Sequence, residues 1–249
     1  MLVLLEESIF LAYLGNIGSK PSTVAWHKHN WAKAEAFIES APQKTLTTYI
    51  CKLLQLYFPG CAARFQHAID HWKLQDIYAD FGLYFNFCPN FPFPGGWPRV
   101  HTKPHADRKS IAGGNCVLMA FLFEKFDFKK RAWLVIWELG LIFEVPIGVA
   151  LFYPSAVFFH FNIDISDLDL IITDGERPDL LQRDAYSKWD DDEQGRESLV
   201  WFNQASMIQV SEIQFDMLKK ARENKKSGNT DFGADVEQVF ASGLSPSFF

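Results

Sequence analysis

The chain has few cysteines, and none are spaced to act together: Cys51, Cys61, Cys88 and Cys116 form no Cys-x-x-Cys pair and no dense cluster. That argues against a disulfide framework and a structural zinc site, and for a reducing compartment. Positive charge is also short. Lys and Arg number 24 against 30 Asp and Glu, a formal net charge of −6, so no basic footprint dominates of the kind that neutralises a nucleic-acid backbone. The local basic clusters read first as solvated faces. They are Lys103, Arg108 and Lys109; Lys125, Lys129, Lys130 and Arg131; and Lys219, Lys220, Arg222, Lys225 and Lys226. No apolar run is long enough to span a bilayer: residues 1–15 are interrupted by Glu6 and Glu7 and lack the basic start of a signal peptide. The expectation is an intracellular protein, nuclear or cytoplasmic, without signal peptide or transmembrane segment, in which 1–15 form a buried strand or helix. Internal repeats, coiled-coil heptads and a glycine-rich phosphate loop are absent as well.

What is present is the composition of one folded domain: 249 residues, 48% hydrophobic and 22% charged, with 24 Phe supplying bulk for a large core. The first third reads as helical. Pro21-Ser22-Thr23 signals a start, Ala25, Trp26, Trp31, Ala34, Phe37 and Ile38 suggest an amphipathic helix ending near Pro42, and Pro59-Gly60 breaks the helical stretch that follows. Residues 81–97, dense in Phe, Pro and Gly, read as an ordered aromatic loop. From 117 onward come short β-branched and aromatic runs, 117–123, 133–139, 141–145 and 149–153, with Pro146-Ile147-Gly148 as a tight turn. Residues 163–194 are acidic and polar, the composition of a solvated loop. Helices return at 212–226 and 235–241.

Within the strand-rich region three residues suggest chemistry. His105 and Asp107 are two apart, so on an extended strand both side chains point to one side. His160 closes a later strand. Two histidines and a carboxylate on one face of a metal leave the opposite face open for ligands and O2, the donor set of non-haem Fe(II) oxygenases. Hydrogen-bonded core histidines and a turn aspartate are the plain alternative. Lys103 and Asn162 stand beside the ligands, either orienting them or lying on the surface. His67 and His71, with Asp70, and His27 with His29 have metal-like spacings but no further ligand to close a site, and read as surface or packing residues.

Taken with their surroundings, these residues resemble the 2-oxoglutarate/Fe(II) dioxygenase superfamily, and within it the mushroom (basidiomycete) branch related to the Tet/JBP nucleic-acid oxygenases. The resemblance covers roughly 98–212 and rests on His105-Ala106-Asp107, Glu138-Leu139-Gly140, Pro146-Ile147-Gly148, Pro154-Ser155-Ala156 leading into His160-Phe161-Asn162, and Gly195-Arg196-Glu197-Ser198. It implies an α+β fold: a double-stranded β-helix, the jelly-roll or cupin-like barrel, over 86–215 with an acidic insertion at 163–194. An N-terminal helical region, 1–85, and C-terminal helices and tail, 216–249, would brace it in one integrated domain.

The resemblance further implies that His105, Asp107 and His160 hold Fe(II) and that Arg196 and Ser198 bind the distal carboxylate of 2-oxoglutarate, a role suited to a guanidinium fork with a hydroxyl beside it. Arg196 follows His160 by 36 residues, a long interval that the acidic insertion explains, and Arg177 and Arg183 remain rival anchors. The implied reaction consumes O2 and 2-oxoglutarate, releases succinate and CO2, and oxidises a C–H bond. Its substrate is either the methyl group of a modified base in DNA or RNA or a protein or small molecule. A degenerate cupin-like binding module is the non-enzymatic alternative. Neither a membrane nor an obligate protein partner is implied.

Overall fold

The computed structural model describes residues 13–16, 19–90, 102–121, 128–129, 132–163, 197–213 and 218–225. A small antiparallel hairpin, β1 (Tyr13–Asn16) and β2 (Ser19–Thr23), precedes four helices: α1 (Ala25–His29), α2 (Trp31–Ile38), α3 (Ala41–Tyr57) and α4 (Pro59–Lys73). The helix breaks expected near Pro42 and at Pro59-Gly60 are found: α2 ends at Ile38 and α3 at Tyr57. Pro42 and Pro59 lie in the first turns of α3 and α4, where a missing N–H costs nothing and the fixed φ suits the helix. Ser22 and Thr23 belong to β2, so the first helix opens later than expected, at Ala25. Helix α3 buries Gln43, Thr47, Ile50 and Leu54, and α4 buries Cys61, Ala62, Phe65, Ala68 and Trp72. Within each set most spacings are three or four residues, so each helix turns one face inward.

Two antiparallel sheets follow. In the first, β3 (Asn86–Asn90), β9 (Glu197–Phe202), β4 (Cys116–Phe121) and β7 (Ala150–Tyr153) lie side by side in that order. In the second, the order is β6 (Leu141–Phe143), β5 (Trp133–Ile136), β8 (His160–Ile163), and a bridge between His105 and His160 adds the 102–105 segment beside β8. Strand β3 corrects the reading of 81–97 as a loop. It pairs with β9 throughout, Asn86 opposite Phe202 to Asn90 opposite Ser198, and Pro89 is tolerated because β3 is an edge strand. The sequence-predicted strand at 133–139 ends early, in a 3-10 turn at Trp137–Leu139 closed by Gly140 at φ +60°. Gly148 at φ +76° makes the expected turn before β7.

The four-stranded sheet is buried on both faces, which is why β4 reads Cys-Val-Leu-Met-Ala-Phe without polar alternation. Val117, Met119, Phe87 and Trp201 face Ile50, Leu54, Phe65 and Trp72 of the helices. Cys116, Leu118, Ala120 and Tyr153, with Val200 and Phe202, pack instead against Leu134, Ile136 and Phe143 of the three-stranded sheet. The architecture is α+β in three layers: helices, a four-stranded sheet and a three-stranded sheet. Among the described residues the strands form two facing sheets, and no closed barrel is shown. The last described helical segments are α5 (Ala205–Ile213) and α6 (Leu218–Glu223), which cover most of the described part of the helix expected from 212 to 226. Helix α5 is tied to α4 by a bidentate pair, Arg64 Nε to Glu212 Oε1 at 2.5 Å and Nη2 to Oε2 at 3.0 Å, and by the Trp72 indole N–H donating to Met207 O at 2.8 Å. The expected helix at 235–241 lies outside the described residues. No helix among the described residues is long and apolar enough to cross a membrane.

Candidate metal centre

His105 and His160 are brought together by the backbone. The His160 N–H donates to His105 O at 2.8 Å and the His105 N–H donates to His160 O at 3.2 Å. This is a hydrogen-bonded antiparallel pair, whose two side chains leave the same face. Their rings stand with centroids 4.3 Å apart. The Asp107 N–H donates to Ser155 O at 2.9 Å, and the chain turns at this residue, with the Arg108 N–H donating to Ala106 O at 2.9 Å and the Ser110 N–H to Asp107 O at 2.7 Å. The Asp107 carboxylate therefore stops opposite both imidazoles: Oδ1 lies 3.6 Å from His105 Nε2 and Oδ2 lies 3.8 Å from His160 Nε2.

The protons on these rings follow from their partners. His105 Nδ1 lies 2.7 Å from Lys103 O and His160 Nδ1 lies 3.0 Å from Phe158 O. A carbonyl oxygen only accepts, so each Nδ1 carries the hydrogen, and each neutral ring turns a bare Nε2 lone pair toward a carboxylate. Three acceptors facing one another repel unless a proton or a cation stands between them. Protonating His160 is opposed by its burial, which pushes its pKa below the ordinary histidine value despite the Phe158 carbonyl and Asp107. A metal ion between the three groups would answer the same arrangement. Histidine ligands with Nδ1–H on a backbone carbonyl are the usual wiring of such sites. All three donor atoms lie within 4.8 Å of one another, and donors each about 2.1 Å from one ion stand about 3 to 4 Å apart. The donor set fits a first-row divalent metal. Among the described residues it is the one grouping of three or more His, Cys, Asp or Glu with that spacing.

The other candidates separate. His67 Nε2 faces Ser211 O at 3.4 Å, His71 faces Gln75 Nε2 at 3.1 Å, His29 bonds Ala25 O at 2.7 Å, and buried His27 stacks on Trp31. Asn162 accepts from Thr102 Oγ1 at 2.8 Å and donates to Ala132 O at 3.4 Å, so it fastens β8 to its two neighbours. Lys103 is exposed. Ser198 is buried and faces the space between the sheets with Val200 and Phe202, its hydroxyl accepting from Asn90 Nδ2 at 3.1 Å. Arg196, with the rivals Arg177 and Arg183 and most of the acidic insertion, lies outside the described residues.

Sequence reasoning missed Asn90, Cys88 and Tyr153. The first two share with Ser198 the inner face of the β3–β9 pair, a signal visible only once β3 is recognised as a strand. Tyr153 sets its ring edge-on to His160 at 5.2 Å. Burial, with Asp107 nearby, pushes the Cys88 thiol up to about 12, and burial does the same to Cys116. Both stay protonated at neutral pH and leave the ligand set to nitrogen and oxygen.

No protein-family model matches this chain, and no curated protein matches its sequence. Twelve chains of solved structures match, among them NgTET1 in complex with 5mC DNA, at 17% identity and a TM-score of 0.49. That alignment covers 82% of this chain and 62% of NgTET1, so the chain spans less than two thirds of that protein's length. The functional reading rests on the site residues and not on this likeness.

Proposed function

We propose that the protein is an Fe(II)- and 2-oxoglutarate-dependent oxygenase of the Tet/JBP-like kind, with His105, Asp107 and His160 as its iron ligands. The observation that carries this is the convergence of two Nδ1-protonated imidazoles and one carboxylate on a single point. The winding of the chain supports it. From Asn86 to Phe202 successive strands fall in the four-stranded sheet, the other, the first, the other twice, then the first, the other and the first again, counting the 102–105 segment. A double-stranded β-helix winds in this way, and we take the jelly-roll core as 86–215, braced by the helices of 1–85 and by 216–249.

In this reading iron and 2-oxoglutarate, when bound, supply the oxidising power for a C–H bond while the cosubstrate leaves as succinate and CO2. The chain supplies position. The Lys103 and Phe158 carbonyls fix the two imidazoles, and Asp107 adds the negative charge a divalent ion requires. Ser198 and Arg196, two apart in sequence, would hold the far carboxylate of 2-oxoglutarate. Anaerobic Fe(II)-loaded protein titrated with 2-oxoglutarate is expected to develop a metal-to-ligand charge-transfer band. Arg196→Ala should then need about 10- to 100-fold more cosubstrate, the value of one charge-assisted pair. A folded, iron-replete protein without the band would be a binding module on the same scaffold, and the oxygenase reading would fall.

For the substrate we favour a nucleobase. Lys103, Arg108 and Lys109 are exposed beside His105 and Asp107. Cations beside the site suit the anionic backbone of a nucleic acid, DNA or RNA, although the overall charge is −6. Binding of an oligonucleotide should weaken with salt, with a log–log slope of about −2 to −3 for phosphate contacts by these three cations. A flat salt response would transfer the reading to a protein or small-molecule substrate.

A further inference from the structure

The Glu138-Leu139-Gly140 motif has no part in the metal set, yet it sits against the strand that delivers His160. The 3-10 turn at Trp137–Leu139 grips both backbone groups of Phe159. The Trp137 N–H donates to Phe159 O at 2.9 Å, and the Glu138 Oε2 accepts the Phe159 N–H at 2.9 Å. Phe159 is flanked by the two residues that set the imidazole, Phe158 through its carbonyl on His160 Nδ1 and His160 itself. Gly140, at φ +60°, closes the turn by donating its N–H to Trp137 O at 3.0 Å. A residue with a Cβ adopts that φ with difficulty, so the glycine shapes the clamp. β8 begins only at His160, and the Phe159 amide bond lies just ahead of the ladder.

We propose that Glu138 is a positioning residue for the metal centre, holding the Phe158–His160 backbone so that the His160 Nε2 lone pair stays aimed at the point it shares with His105 and Asp107. The inference rests on the metal reading above. It assigns Glu138 no contact with metal or substrate. Its carboxylate acts through a backbone amide, so the role belongs to the hydrogen bond and not to the charge, and Glu138→Gln, whose amide oxygen also accepts, should preserve it.

The test uses the full chain, with Co(II) as the probe. Glu138→Ala is expected to bind Co(II) about tenfold more weakly, the lower end of what partners of metal ligands contribute, with altered d–d bands. Glu138→Gln should stay within about threefold of the parent. In the metal-free proteins, exchange of the Phe159 amide should accelerate at least about tenfold in Glu138→Ala and stay protected in Glu138→Gln. Parent-like binding and exchange in Glu138→Ala would overturn the proposal. So would a Glu138→Gln variant that falls as far as Glu138→Ala, since charge would then be the active property. If the parent and His160→Ala bind Co(II) alike, the metal reading fails, and the exchange measurement still decides for or against the clamp.

Discussion

Replacing His160 by alanine is expected to weaken Co(II) or Fe(II) binding by at least about a hundredfold, because it removes one of three donors where even a partner of a donor is worth 10- to 100-fold. The effect on stability should depend on metal. Without it, the variant loses the hydrogen bond from Nδ1 to Phe158 O, and the partly buried carbonyl left behind costs up to about 1–3 kcal/mol. The same substitution relieves a lone pair that faces the Asp107 carboxylate at 3.8 Å, so the net loss should fall toward the low end of that range. With metal the two proteins diverge. An ion that binds only the folded state raises stability by about 2.7 kcal/mol at a hundred times its dissociation constant, and the parent gains this while the variant does not. Calorimetry with and without Co(II) reads the difference directly. A variant whose Tm rises with metal as much as the parent's would show that the ion is held elsewhere, and His105, Asp107 and His160 would then be a hydrogen-bonded core cluster.

His105 and Asp107 were legible from their spacing and His160 from its place beside an apolar run, although His160 opens β8 rather than closing a strand as the sequence suggested. Their convergence was not local. It requires the His105–His160 backbone pair, which joins residues 55 apart. The helix breaks at Pro42 and Pro59 were legible because a proline signal is local: α2 ends at Ile38 and α3 at Tyr57, and each proline lies in the first turn of the helix that follows. Strand β3 was hidden by Asn86, Pro89 and Asn90, poor strand formers that are accepted at an edge and facing an interior with polar neighbours. Because β3 was hidden, Asn90 beside Ser198 was hidden too. Glu138 was visible as part of a motif, while its work depends on a 3-10 turn that interrupts what reads as one continuous apolar strand. The long interval from His160 to Arg196 keeps the cosubstrate anchor a matter for the titration proposed above.

Replacing Trp201 by alanine should be the most destabilising single change in the helix-facing core, and it should leave the metal site's affinity nearly intact. Trp201 is fully buried near the end of β9, opposite Phe87 on one side and Val117 on the other. Its ring meets Phe87 edge-on at 5.0 Å, and its indole N–H donates to Thr47 Oγ1 on α3 at 3.2 Å. Removing the ring deletes a large apolar volume and leaves a cavity, a loss of about 3–5 kcal/mol, out of a total stability of about 5–15 kcal/mol for a domain. Trp201→Phe, which keeps the aromatic contact and loses the indole bond, should cost roughly 1–3 kcal/mol. Because side chains alternate along a strand, Trp201 faces the helices while Ser198, Val200 and Phe202 face the other sheet. His105 and His160 belong to that other sheet. Urea unfolding should therefore separate the two variants by stability, while Co(II) titration of the folded fraction finds both within about threefold of the parent. If folded Trp201→Ala lost metal as completely as His160→Ala, the two layers would have to be one cooperative packing unit, and the four-stranded sheet would be setting the geometry of the site as well as supporting it.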